Sequence, residues 1–192
     1  KALAAGHDYD DRLSAEDKPG LPVIDLYERL VIPDIADAAD LLRPIHDRTD
    51  GVDGYVSLEV NPKLAYDPNG TIVEARRLRA RLNRPNVLIK VPATDQGIAA
   101  IEQLTGEGIS VNVTLIFSIP MYRRVMDAYV NGLGRFAASG GDVSRVASVA
   151  SFFVSRVDSA VDKLREEKHR AGANIDALPG QTAVANAKLA YQ

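Results

Sequence analysis

No cysteine and no tryptophan occur in the 192 residues. The first absence removes disulfides, thiolate metal sites and thiol nucleophiles together, and it fits a reducing compartment such as the cytoplasm. Histidine is nearly as scarce. His7, His46 and His169 stand apart in polar segments, without the convergent set that a metal site needs, and they are expected at the surface. Positive charge is not in excess: Lys and Arg number 23 against 26 Asp and Glu, a net charge of −3 that offers no footprint for nucleic acid. No apolar run approaches the ~20 residues of a membrane span, and no secretory leader pattern is visible. What remains is an ordinary globular balance, 46% hydrophobic and 26% charged, in a length that suits a single domain with its own core.

The most informative stretch is Asn86 to Asp95, NVLIKVPATD. Val87, Leu88, Ile89 and Val91 form a short β-branched run bounded by Pro85 and Pro92, the pattern of a strand buried on both faces. Lys90 lies in its middle, where an ammonium is costly to bury. Three readings are open. Lys90 reaches the sheet edge, or it pairs with a buried carboxylate, or it is a desolvated amine of lowered pKa that attacks a carbonyl to form a Schiff base.

Around this strand the chain alternates. Residues 1 to 20 are polar, with a short helix expected at Ala2 to Ala5 and a solvated acidic run at Asp8 to Asp11. Leu21 to Asp47 has helical spacing, and Pro33 and Pro44 predict two helices or one kinked at Pro33. Gly51 to Val60, GYVSLEV at its end, reads as a strand with Ser57 and Glu59 on a polar face. Thr71 and Glu74 suggest a capping box opening the next helix, which ends by Arg84 and Pro85. After the Lys90 strand, Thr94 or Asp95 caps a helix that Gly106 and Gly108 stop. Ile109 to Phe117 is a strand with Val111, Val113 and Leu115 on one side and Asn112 and Thr114 on the other. Ser118 then caps a long helix whose buried face is read as Tyr122, Val125, Met126, Tyr129, Leu133 and Phe136. A fourth strand, Val146 to Val154, leads into a helix from about Ser155, and Gln181 to Gln192 is an alanine-rich helix. Uninterrupted alternation predicts right-handed βαβ units and a parallel sheet.

The polar faces refine that class. An open sheet covered by helices on both sides has strands apolar on both faces. Here one face carries Ser57, Glu59, Lys90, Asn112 and Thr114, in the second half of each strand. That arrangement suits a barrel, with apolar residues outward under helices and polar residues inward at the C-terminal ends. Glu59 and Lys90, on consecutive strands, can converge for proton transfer in carbonyl chemistry. Ser151 can donate to a hydroxyl, and Arg156 is either a phosphate-holding cation at the mouth or a plain surface arginine. Other motifs carry little: Gly132 to Ala137 fits a degenerate dinucleotide-loop pattern but falls late in a helix, and the acceptor-like triplets at Asn69 and Asn112 have no secretory context.

With GYVSLEV, NVLIKVPAT, ISVNVTLIFS and SVASFFVSRVD in hand, the chain resembles the transaldolase family in its bacterial form, over essentially its whole length. The resemblance implies a (β/α)8 TIM barrel of which residues 1–192 carry the four central parallel strands as a single domain, with two further strands before Lys1 and two after Gln192. It implies no metal and no cofactor. It implies transfer of a dihydroxyacetone unit between sugar phosphates in the pentose phosphate pathway. Lys90 then corresponds to the Schiff-base lysine and Glu59 to the acid–base carboxylate that works through a water. Asn112, Thr114 and Ser151 orient that water or the dihydroxyacetone hydroxyls. Arg156 is one of two phosphate-binding arginines; the other, the family's first-strand aspartate and a TSNP-like segment are not in these residues. The expected partners are phosphorylated sugars, not nucleic acid or membrane, with homo-oligomerisation left open. The alternatives are another lysine-dependent aldolase, acting on fructose 6-phosphate or deoxyribose phosphate, and a non-catalytic barrel fragment or scaffold.

Overall fold

A computed structural model describes residues 6–172 and 179–192; the helix expected at Ala2 to Ala5 lies outside them. Two helices lead, α1 (Asp10–Glu16) and α2 (Val23–Arg48). Four βα units follow: β1 (Val56–Glu59) with α3 (Pro68–Leu82), β2 (Val87–Pro92) with α4 (Asp95–Gly106), β3 (Val111–Ile116) with α5 (Ile119–Ala138), and β4 (Ser148–Phe152) with α6 (Ser155–Arg170). Helix α7 (Thr182–Tyr191) closes the described chain. The strands form one sheet in the order β1-β2-β3-β4, every neighbouring pair parallel. Order and direction are those the alternation predicts.

The sheet has two unlike faces. Val87, Ile89, Val91, Val111, Val113 and Leu58 pack into one core with Ile72, Ala75, Leu78 and Leu82 of α3, Ala100, Ile101 and Leu104 of α4, and Val125 and Ala128 of α5. The helices cover this face alone, and the opposite face keeps its polar residues. Among the described residues β1 and β4 are each paired along one edge only, so the sheet is open. It curls towards its polar face. Strands β1 and β3 are about 9.5 Å apart across β2 in a flat sheet, and Asn112 lies level with Lys90, two residues beyond Leu88, the partner of Ser57. Yet Asn112 Nδ2 donates to Ser57 Oγ at 3.0 Å, a contact that curvature brings within reach.

Several local expectations need correction. Helix α3 starts four residues earlier than the Thr71–Glu74 pattern suggested: Asp67 is its N-cap, accepting from the Gly70 amide, with Pro68 in the first turn. Thr71 instead donates to the Leu64 carbonyl at 2.9 Å, tying the helix to the turn before it. Of the two readings open for the stretch through Pro33 and Pro44, the single helix holds, with both prolines on its solvent face. The carbonyls each proline strands, Arg29 and Asp40, are on exposed residues and can be hydrated. Met126 is 42% exposed, and the small Ala128 and Gly132 lie in its place; a Cβ on Gly132 would come within 2.6 Å of the Glu102 carbonyl oxygen, so α4 and α5 approach closely there. His46 is buried at the C-terminal end of α2, edge-on to Tyr55 with centroids 5.1 Å apart. It is not at the surface because the chain turns back sharply over it at Gly54, where φ is +81°.

A further departure is in β3. Leu115 has φ +62°, and the pairing with β4 slips between Val113 and Ile116. This bulge sets two residues against one. It takes Leu115 out of the outward row and puts Ile116, fully buried, into the core instead.

One ion cluster ties α2 to α3. Glu28, buried on α2, accepts from Arg77 Nη1 at 2.8 Å and from Arg81 Nη1 at 2.5 Å. Arg77 also binds Glu74. The Arg77 guanidinium holds the Glu28 carboxyl below the usual carboxylate range, against the opposing effect of burial. A depressed folded-state pKa contributes stability above the unfolded value of about 4.3, and that contribution is lost as pH falls through the folded value. The arginines are near 40% exposed, so their charge is partly screened. Glu28→Gln is expected to cost about 1–2 kcal/mol at pH 7, and the gap to the unsubstituted protein should close below about pH 4. Urea denaturation of both proteins at pH 7 and pH 3 measures it. A gap that stays constant would show that Glu28 is not the titrating group.

Candidate active site

Strand periodicity and register build the site. On β2 the burial pattern seals every residue from Val87 to Pro92 except Lys90. Its odd-numbered neighbours point to the helices, so Lys90 points to the polar face. Parallel register places Glu59 beside it on β1 and Asn112 beside it on β3. Lys90 Nζ lies 3.8 Å from Glu59 Oε2, with the side chains 29% and 46% exposed. The amine is half-buried beside a partly exposed carboxylate, neither withdrawn into the core nor free in bulk water. A separation of 3.8 Å is loose for a direct hydrogen bond and suits exchange of a proton on slight movement or through one water.

The polar residues of β1, β3 and β4 are linked. Asn112 Nδ2 donates to Ser57 Oγ, and Ser151 Oγ donates to Asn112 Oδ1 at 2.8 Å. The chain Ser57–Asn112–Ser151 crosses above Leu88, which is 2% exposed on the same face, and floors the space around Lys90. Thr114 is buried beside Pro92 at the start of the bulge, so the next residue no longer alternates. Arg156 stands apart from this group. It lies in the first turn of α6, exposed, its guanidinium 4.7 Å from the centre of the Phe153 ring. Phe153 in turn faces Phe117 at 5.1 Å.

The structure therefore brings together Glu59 with Lys90, and Asn112 with Ser151, and leaves Arg156 exposed in the first turn of α6. Sequence reading placed Ser57 on this face but gave it no partner, since a diagonal contact across an intervening strand depends on curvature. Phe153 was missed as the ring beneath Arg156; its spacing two residues after Ser151 was the available signal. A cavity of about 340 Å³ lies on the helix side of the sheet, between the start of α2, the end of β1 and α3, lined by Tyr27, Val31, Leu58, Val60 and Leu78. Of the candidate residues it touches Glu59 alone.

These features define a class: a parallel βα protein with a lysine on the polar, helix-free face of its sheet. A family model described as Transaldolase/Fructose-6-phosphate aldolase matches residues 1–192. The chain is 54% identical over 194 residues to the transaldolase of Thiobacillus denitrificans, covering all of this chain and 53% of that one. It is 51% identical over 191 residues to the transaldolase of Thermobifida fusca and 49% over 192 to transaldolase 1 of Streptomyces avermitilis, again over the whole chain and 51% and 50% of those relatives. The chain belongs to the transaldolase/fructose-6-phosphate aldolase family, whose fold is the (β/α)8 barrel, and it spans about half the length of the curated relatives it matches.

The exposure of Lys90 and Glu59 has a consequence for stability. Ion pairs this accessible contribute about 0–1 kcal/mol. Glu59→Gln is expected to shift the urea midpoint by less than the equivalent of about 1 kcal/mol. A loss several times larger would make the pair a structural one.

Proposed function

We propose that the protein carrying this chain is a transaldolase that works through a Schiff base on Lys90. Sedoheptulose 7-phosphate and glyceraldehyde 3-phosphate are converted to erythrose 4-phosphate and fructose 6-phosphate, in the cytoplasm and within the pentose phosphate pathway. The single observation that carries the reading is Lys90 Nζ at 3.8 Å from Glu59 Oε2 on the polar face, in a chain matched end to end by the family. The transaldolase names of the relatives favour transfer to an acceptor sugar over release of a free fragment.

The chemistry follows from the groups present. The neutral Lys90 amine adds to the C2 carbonyl of the ketose phosphate, and the carbinolamine loses water to give a protonated imine. Glu59 delivers the proton that lets the hydroxyl leave as water, and takes one back when water returns. The C3–C4 bond then breaks. Its electron pair moves into the imine to give an enamine, the C4 hydroxyl proton departs to a base, and the aldose phosphate is released. The enamine carbon attacks the acceptor aldehyde, whose oxygen is protonated, and hydrolysis frees the new ketose phosphate and Lys90. Asn112, Thr114 and Ser151 orient the dihydroxyacetone hydroxyls or the working water. Arg156 holds the phosphate. A cation in the first turn of a helix opposes the helix dipole, and a bound phosphate offsets that cost while accepting from both the guanidinium and the helix N-terminus.

Borohydride added with fructose 6-phosphate is expected to fix a dihydroxyacetone-derived mass at Lys90. Lys90→Arg should abolish it, because arginine does not deprotonate to a nucleophile. Labelling that survives this change overturns the assignment, and no labelling of the unsubstituted protein favours the scaffold reading. Glu59→Gln should lower turnover about 10²–10⁴-fold with a much smaller change in substrate affinity. Arg156→Ala should raise KM for sugar phosphates far more than for unphosphorylated dihydroxyacetone; equal losses would free Arg156 of the phosphate role.

A further inference from the structure

Ser57 has no part in the chemistry above, yet it is joined to the residue beside Lys90. Its oxygen accepts from Asn112 Nδ2 at 3.0 Å, while Ser151 Oγ donates to Asn112 Oδ1 at 2.8 Å. A carboxamide offers two N–H donors and two acceptor lone pairs. With one donor and one lone pair held from opposite sides, the plane of the amide is fixed, and one N–H and one lone pair remain for a ligand. The outer torsion of asparagine is otherwise broad and weakly restrained, so an amide held only by Ser151 can swing. Register puts Asn112 directly beside Lys90, where the free pair of polar atoms meets whatever is attached to the amine. Backbone hydrogen bonding already joins β1, β2 and β3, so the sheet has no need of a side-chain link between its first and third strands.

We propose that Ser57 is a positioning residue: it locks the Asn112 carboxamide in the plane that receives a hydroxyl of the dihydroxyacetone unit held on Lys90. The inference rests on the Schiff-base reading and names the support that reading lacked. Precise orientation of this kind raises rate because small misplacements of a positioning group are costly.

The test is a double-mutant cycle in the intact protein, with borohydride labelling of Lys90 as a separate readout. Ser57→Ala is expected to lower kcat/KM for fructose 6-phosphate about tenfold, equivalent to about 1.4 kcal/mol, while Lys90 is still labelled. Ser57→Thr retains the oxygen and should recover most of the loss. In an Asn112→Ala background, Ser57→Ala should change kcat/KM less than twofold. A tenfold loss in both backgrounds, or none in either, overturns the positioning role. If Ser57→Ala does not fold, Ser57→Thr and Ser57→Cys replace it: activity retained in the first and reduced in the second supports the role, and equal activity in both removes it. Failure of Lys90 to label in the unsubstituted protein defeats the Schiff-base reading instead, so the two failures are distinct.

Discussion

An amine in the centre of a parallel sheet is the constraint on which the arrangement depends. The neighbours of Lys90 along β2 are buried, so the strand cannot twist to release it. The ammonium can stay only if one face of the sheet is left free of helices. Hence the helices gather on the other face, where Leu58, Val91 and Val113 meet Leu78, Ile101 and Val125. Hence too the residues around Lys90 are a carboxylate, an amide and hydroxyls rather than leucines. The polar face is costly to a sheet that needs only to be stable. It makes sense when something is to be bound there.

The curl of the sheet and the bulge in β3 then shape that face. Curvature draws Ser57, Asn112 and Ser151, from three strands, into one hydrogen-bonded line. The bulge interrupts β3 directly after Thr114. A leucine with positive φ costs on the order of 1 kcal/mol or more, and it lets Thr114 remain on the polar face while Ile116 still reaches the core.

Much of this was legible in the sequence, for physical reasons. The period-two pattern in VSLE and VNVT assigned faces correctly because both strands are half-polar. Ser118 and Thr94 were readable as caps because their hydroxyls serve the amides three residues on. The failures share a cause. Thr71 looked like a cap because Asp67, a better one, was separated from the apolar stripe by Pro68. Leu115 was assigned to the core because alternation was extended through a bulge that leaves no mark in composition. His46 was placed in water because its burial is created by a turn at Gly54, remote from its own helix. Met126 yielded to Ala128 and Gly132, since close helix packing favours the smallest residues over the most apolar. Apart from the local cap at Asp67, contacts between elements, not propensities within them, decided these cases. The diagonal bond from Ser57 to Asn112 was invisible for the same reason.

The strand order has a consequence in time. Among the described residues each strand pairs with the one that follows it in the chain, so each of these ladders closes over one intervening α-helix. Loop closure of this size is entropically mild and favours rapid pairing. On the ribosome the chain leaves N-terminal end first. Each emerging βα unit can therefore dock on the edge left by its predecessor. The edge that each of β1, β2 and β3 presents to its successor is filled by the next segment to appear, which keeps the exposure of that unpaired backbone brief during synthesis.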